Sequence, residues 1–264
     1  MGHYDDKGNP VANAQFPAGE DAYTAFQQSW TIGSGPLDND LNAAVLAQLA
    51  DKTGGAVLIT HSMGGTIGWR AAIKSDNVKG IVAWEPGGTP FLFPENDMPH
   101  ITQARFPALS ASALAVPAAD FKKLTQIPIV LYYGDYIKVG SENVGEDKWG
   151  TELAMAKQFV DTINRHSGKA ELVHLPERGI TGNSHFLMGE KKQRATGRAH
   201  GRPAERKRIG LGAVDIRLAQ RIFAAKTADT GKKRSQVGHL ACLFNAADAG
   251  FRRKTAAMLR VNRP

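Results

Sequence analysis

Ser62 has the surroundings in which a serine can do covalent chemistry. It follows an apolar, β-branched run at 56–60 that predicts a buried strand, and the apolar periodicity of 66–73 predicts a helix after it. A sharp strand-to-helix turn lifts a serine hydroxyl off the backbone and lets the next N–H, that of Met63, bind a developing oxyanion. The glycines at 64–65 are expected to let the helix pass close to the strand. We therefore predict that Ser62 is a nucleophile; the alternative is that it only caps the helix.

A serine hydroxyl is a weak nucleophile at neutral pH and needs a general base. His185 is the candidate, because it follows the last predicted strand through a loop that contains glycine and asparagine. The alternative is a loop histidine bound to a nearby carbonyl group. His61 lies next to the serine in the chain, but we expect its ring to point away from Ser62 and to pack locally. The sequence therefore predicts that His185 carries the proton between nucleophile and leaving group.

An acid must orient the histidine ring, and two residues compete for this role. Asp135 follows a predicted strand, but a Gly-Asp pair is also an ordinary turn former. Glu85 follows the strand next to that of the serine, and its longer side chain can span more distance to His185. Because Pro86 follows it, we expect the backbone of Glu85 to be extended. From the residues alone, Glu85 and Asp135 both stay open as the acid.

The elements that must position these side chains alternate along the chain. Strands are predicted at 56–60, 80–84, 127–133 and 170–175, and helices at 40–51, 66–73 and 151–166. In the first helix the expected buried face is Leu41, Val45, Leu46 and Leu49. Alternating strands and helices predict an α/β fold with a mostly parallel sheet and flanking helices. The carboxyl ends of such strands share one edge of the sheet, so the predicted site residues are expected there.

Four stretches together resemble the α/β-hydrolase superfamily, in particular serine esterases of the secreted bacterial and fungal type. The resemblance covers about residues 15–188 and rests on Thr60-His61-Ser62-Met63-Gly64-Gly65, Trp84-Glu85-Pro86-Gly87, Tyr132-Tyr133-Gly134-Asp135 and 179–186. It implies hydrolysis of a carboxylic ester through an acyl-enzyme, with a small-molecule ester as substrate and Glu85 as the acid. We expect no cofactor and no metal ion.

Residues 1–36 are polar, turn-like and predicted to be irregular, and residues 37–190 form the predicted hydrolase domain. The resembled family has several strands before its nucleophile, and a His-Gly-Gly type loop there supplies a second oxyanion donor. No such sequence precedes Ser62. We therefore expect a hydrolase truncated at its N-terminus, with an exposed edge on the serine strand and impaired activity. The first residues lack the pattern of a secretory signal, and compartment and oligomeric state are left open.

Residues 191–264 differ sharply in charge from the rest of the chain. They hold 19 Lys and Arg against 4 Asp and Glu, a net charge of +15, whereas residues 1–190 have a net charge of −7. Three interpretations are open: a frameshift near residue 189, a basic tail, or a second small domain. A basic tail would make the chain a non-catalytic protein that binds polyanions, either nucleic acid or anionic lipid. No specific nucleic-acid motif and no apolar run long enough to span a membrane is present.

Overall fold

A computed structural model describes residues 37–187, the backbone of 242–245 and isolated helical positions at 20, 21, 24 and 28. The predictions for the rest of 1–36 and of 188–264 lie outside the described residues. The elements in chain order are α1 (Asn39–Lys52), β1 (Ala56–His61), α2 (Gly64–Lys74), β2 (Val78–Trp84), β3 (Phe91–Pro94), β4 (Ala113–Val116), α3 (Ala118–Thr125), β5 (Pro128–Tyr133), α4 (Val144–Arg165), β6 (Lys169–His174) and β7 (Cys242–Asn245). Short 3₁₀ turns cover Pro107–Leu109 and Leu175–Arg178.

The main sheet has five strands in the order β6-β5-β2-β1-β7. The first four strands of this order are parallel, and β7 pairs antiparallel with β1. Strands β3 and β4 form a separate parallel pair. The predicted α/β fold, with a mostly parallel sheet and flanking helices, is confirmed. Because the ends of β1, β2 and β5 are in register through Trp84, the segments that follow these strands leave the sheet at one edge.

Two apolar cores lie on opposite faces of the main sheet. The larger core joins the sheet to the helices and contains a cluster of buried aromatic rings, Trp69, Phe91, Phe93 and Phe159. The smaller core includes Val57, Val82, Val130 and Leu187 from β1, β2, β5 and the segment after His185. Among the helices that the structure describes, none combines the length and apolar character needed to cross a bilayer.

The predicted buried face of α1 is wrong for three of its four residues. Leu41, Val45 and Leu49 are exposed, and the buried side chains are Ala43, Leu46, Ala47 and Ala50. These positions are spaced i, i+3, i+4 and i+7, so they form one stripe on the helix. Helix α1 packs on α2. Alanine fills three of the four buried positions of α1, so its buried face is not the face with the most large apolar side chains.

The expected exposed edge of the serine strand is covered over most of its length. Cys242–Asn245 pairs antiparallel with Ala56–Ile59, so β1 lies inside the sheet with β2 on its other side. A strand that is buried on both faces needs hydrogen-bond partners for its backbone N–H and C=O groups, and β7 supplies them to β1. Part of the segment predicted as an irregular basic tail is therefore a strand of the main sheet.

Candidate active site

Ser62 lies at the turn between β1 and α2, in a backbone conformation that serine rarely adopts. Its φ angle is +56°, in the left-handed region. The turn is held by backbone hydrogen bonds: the Ser62 N–H donates to the Trp84 carbonyl at 3.1 Å, and the Ser62 carbonyl accepts from Gly65 at 3.0 Å and Gly87 at 3.2 Å. Such strain persists only where surrounding contacts impose it, and it commonly marks functional positions. The predicted strand-to-helix turn is therefore present and firmly anchored.

The two glycines after the turn have different neighbours from those expected. A Cβ on Gly65 would lie 2.7 Å from Cβ of Pro86, which forbids any side chain there. A Cβ on Gly64 would meet only Cβ of Thr60, at an ordinary 3.7 Å. Of these two glycines, only Gly65 is needed for a close approach, and the approach is between the helix start and the loop that follows β2.

His185 contacts both the serine and Glu85. Its Nε2 lies 3.0 Å from Oγ of Ser62, and its Nδ1 lies 2.7 Å from Oε2 of Glu85. The ring is almost completely buried, and the Trp149 ring packs against it with centroids 4.1 Å apart. A histidine held this way can accept a proton at Nε2 while the carboxylate binds the opposite ring nitrogen.

Glu85 is buried completely and reaches the site from the end of β2. Its Oε1 accepts a hydrogen bond from the Gly134 N–H at 2.6 Å, which leaves Oε2 for His185. The expectation of an extended backbone at Glu85 is wrong, because its φ is +41°. The preference for extended backbone before proline is weak beside the hydrogen bonds at this turn, including that from the Glu85 N–H to the Tyr132 carbonyl at 2.7 Å.

Asp135 is not brought into contact with His185. Its carboxylate accepts from the N–H groups of Tyr136 at 2.9 Å and Gly182 at 3.0 Å, while its own N–H donates to the Asn183 carbonyl at 2.7 Å. These bonds tie the end of β5 to the loop that carries His185. The structure thus brings Ser62, His185 and Glu85 together and leaves Asp135 as an anchor for the loop.

Burial disfavours the charged forms of both His185 and Glu85, so it shifts their pKa values in opposite directions. Loss of hydration raises the pKa of Glu85, although the Gly134 N–H opposes that rise, and it lowers the pKa of His185. The His185 ring is therefore neutral at neutral pH, the state in which Nε2 can take a proton from Ser62. The imidazolium formed by that transfer has the Glu85 carboxylate as its immediate partner.

Met63 begins the helix that follows the serine. It is the N-cap residue of α2, with φ −58° and ψ −18°. N–H groups at a helix start have no acceptor within the helix, and the helix dipole favours negative charge there. The Met63 N–H is thus suited to stabilise an oxyanion on a carbonyl attacked by Ser62. The prediction that no second oxyanion donor precedes Ser62 concerns mainly residues that the structure does not describe.

The expectation that His61 packs locally is wrong, although its ring does face a different direction from Ser62. Its Nε2 lies 2.8 Å from the carbonyl oxygen of His185, and the two rings are 4.5 Å apart between centroids. With the proton on Nε2, His61 donates to that carbonyl and links the nucleophile turn to the loop of the base. Side chains alternate across a strand, so the residue beside Ser62 at the end of β1 faces another direction, and here that direction holds the His185 loop. Trp149 was not singled out from the sequence, because the helix predicted at 151–166 begins after it, whereas the observed helix already begins at Val144.

Gly134 offers a test of how tightly the acid is held. A Cβ there would lie 2.7 Å from the Asn183 carbonyl oxygen and 2.9 Å from Oε1 of Glu85. We expect Gly134→Ala to displace Glu85, to lower kcat/KM at least tenfold and to lower the free energy of unfolding by about 1–3 kcal/mol. Gly64→Ala, where the added methyl has room, is the matched control for ester hydrolysis and urea unfolding. Wild-type values for Gly134→Ala would contradict this packing.

The chain is similar to known proteins. Residues 12–252 match the family model described as "Alpha/beta hydrolase family". Over 188 residues the chain is 39% identical to a protein named "Probable secreted lipase phiG" from Fungal sp. (strain ATCC 74256). This match covers 59% of this chain and 47% of the lipase.

A solved structure, "The Atomic Resolution Structure of a Novel Bacterial Esterase", shares the fold. The TM-score is 0.52 at 23% sequence identity, and the match covers 84% of this chain and 54% of that chain. The chain thus spans about half the length of these relatives. Since the family model matches most of its length, and the fold agrees, the chain belongs to the alpha/beta hydrolase family.

Proposed function

We propose that this chain hydrolyses a small-molecule carboxylic ester through an acyl-enzyme formed on Ser62. The observation that carries the proposal is the placement of His185, with Nε2 3.0 Å from Oγ of Ser62 and Nδ1 2.7 Å from Oε2 of Glu85. Family membership and a relative named as a lipase support an ester as substrate.

Each residue has one role in the proposed reaction. His185 takes the proton of Ser62 as Oγ attacks the ester carbonyl, and the oxyanion forms beside the Met63 N–H. When the tetrahedral intermediate collapses, His185 returns the proton to the departing alcohol. Water, deprotonated by His185, then attacks the acyl group on Ser62, and the acid product leaves with the serine restored. Glu85 holds the His185 ring and stabilises its cation throughout.

Labelling with a fluorophosphonate tests the proposal without depending on a chosen ester. We expect one phosphonyl adduct per chain, on the peptide that contains Ser62, and loss of 4-nitrophenyl butyrate hydrolysis in proportion to the adduct. Protein unfolded in urea should not react, because activation of the serine needs His185 beside it. Absence of an adduct from the folded protein, or hydrolysis that survives complete labelling, would refute the proposal.

The same assay addresses the predicted impairment, which stays a prediction. A missing oxyanion donor is expected to cost about 10²–10³-fold in rate. If the donor is missing, Ser62 should still be labelled while ester turnover falls by this factor below that of a full-length relative assayed beside it. Equal turnover in the two proteins would show that the donor set of this chain is sufficient.

The net charge of +15 in residues 191–264 favours polyanion binding as a second candidate function. Such binding should be insensitive to base sequence and should weaken steeply with added salt, because salt lowers the free energy gained when binding releases counterions from the polyanion. Retention on immobilised DNA at low salt, with elution by added NaCl and no effect of serine labelling, would separate it from the hydrolase activity. Lack of retention at low salt would remove this candidate.

A further inference from the structure

Glu152 is a buried carboxylate beside the site that the proposed reaction does not use. It lies on α4, three residues after Trp149, and is 2% exposed. Its Oε1 accepts a hydrogen bond from the Gly88 N–H at 2.7 Å. Its Oε2 is buried and has no hydrogen-bond partner in the part of the chain that the structure describes. Burying a carboxylate with an unused oxygen is costly, so its presence calls for a physical reason.

The segment that Glu152 contacts is the loop that carries the proposed acid, Glu85–Gly88. This loop lies directly on α4: a Cβ on Gly87 would be 2.7 Å from Cζ3 of Trp149 and 2.8 Å from Cδ of Glu152. Two successive N–H groups of the loop point to different partners. That of Gly87 donates to the Ser62 carbonyl at 3.2 Å, and that of Gly88 donates to Glu152. The loop thus connects the nucleophile turn to α4 through adjacent peptide groups.

We propose that Glu152 is a positioning residue for hydrolysis at Ser62, and that it acts through the Gly88 N–H by holding the Glu85–Gly88 loop against α4. The inference rests on the proposed function. Displacing this loop would move Glu85. It would also disturb the hydrogen bond from the Gly87 N–H to the Ser62 carbonyl. Trp149, on the same turn of α4, packs on His185, so one helical segment supports all three residues of the proposed triad.

The charges around Glu152 decide which substitution can replace it and still accept the hydrogen bond from Gly88. Burial raises the pKa of Glu152 to about 7, opposed by the Gly88 N–H and by the Lys148 ammonium on the same helix. From β5, Tyr133 faces it as a neutral phenol whose pKa Glu152 and Glu85 help to raise. A raised carboxyl pKa means that folding favours the protonated form, so stability falls as pH rises from about 4.5 to about 7. Glutamine keeps the Oε1 acceptor and removes this charge.

The test compares E152Q, E152A and a control, D147A, at a temperature where each is folded. Asp147 is a buried carboxylate on the same helix whose oxygens accept from Arg105 and Gly140 instead of the catalytic loop, both at 2.6 Å. We expect E152A to lose about 10–100-fold in kcat and in the rate of Ser62 phosphonylation, the range for an unmade bond to a charged group, with KM within threefold. E152Q and D147A should keep both rates within about threefold.

A second readout follows the hydrogen bond itself. Amide hydrogen exchange at Gly88 should speed up in E152A and stay near the wild-type rate in E152Q. The thermal midpoint of E152Q should exceed that of wild type at pH 8 and match it near pH 4.5.

Three results would overturn the proposal: wild-type rates in E152A, an equal rate loss in E152Q and E152A, or an equal loss in D147A. If wild-type Ser62 forms no adduct, the proposed function fails and the inference fails with it. Exchange at Gly88, measured in the same variants, then still reports whether Glu152 holds the loop.

Discussion

Ser62→Ala eliminates ester hydrolysis: we expect kcat to fall by about 10⁶-fold, as when the nucleophile of a comparable triad is removed. Fluorophosphonate labelling of the chain should disappear at the same time. The hydroxyl forms the covalent bond in the proposed reaction, and its Oγ lies 3.0 Å from Nε2 of His185. The Met63 N–H and the His185–Glu85 pair remain in the variant, so a small rate above the uncatalysed reaction is expected to survive.

The substitution should leave the fold intact. The turn at Ser62 is held by backbone hydrogen bonds to Trp84, Gly65 and Gly87, which alanine preserves. Ser112→Ala, an exposed serine far along the chain, is the matched control and should keep full activity and labelling. Circular dichroism and urea unfolding establish that both variants fold. Hydrolysis by Ser62→Ala above about 1% of the wild-type rate would mean that another group is the nucleophile.

Much of the fold could be predicted because buried parallel strands are continuous apolar runs. The runs that became β1, β2, β5 and β6 were identified within a few residues of their observed ends. The strand-end rule then placed the candidate residues at one edge of the sheet, as the structure has them. Strand β7 could not be predicted in this way, because its four residues pair with Ala56–Ile59, far away in the chain and across an abrupt change in charge.

Two errors concern the direction in which side chains point. In α1 the large apolar residues favoured the wrong face, because the residues that the helix buries are mostly alanines, which carry little hydrophobic signal. His61 was expected to pack locally, yet its contact lies more than a hundred residues away, at His185. The sequence pattern indicates at which strand end a side chain lies. It does not indicate which partner that side chain contacts, because the contact depends on the conformation of the loops.

The choice between Glu85 and Asp135 as the acid is a case of this kind, and a pair of isosteric substitutions tests it. Glu85→Gln is expected to lower kcat about 10⁴-fold, the effect of replacing a triad acid by its amide. The amide removes the charge that stabilises the His185 cation and favours the wrong ring tautomer. Asp135→Asn should keep kcat within about tenfold, because the Asp135 carboxylate accepts from the backbone N–H groups of Tyr136 and Gly182, whereas Glu85 is the carboxylate at Nδ1 of His185.

The variant expected to be less active, Glu85→Gln, is expected to be the more stable of the two. Burial raises the pKa of Glu85 to about 8, so this residue lowers folding stability as pH rises from about 4.5 to about 8, and Glu85→Gln is expected to unfold at a higher urea concentration than wild type at pH 8. Asp135→Asn gives up one of two N–H acceptors that fix the His185 loop, and is expected to unfold at a lower concentration. A variant that is more stable yet nearly inactive identifies a carboxylate kept for chemistry. If Asp135→Asn instead loses 10⁴-fold while Glu85→Gln keeps its rate, the acid is Asp135, and the 2.7 Å contact between Glu85 and His185 is structural.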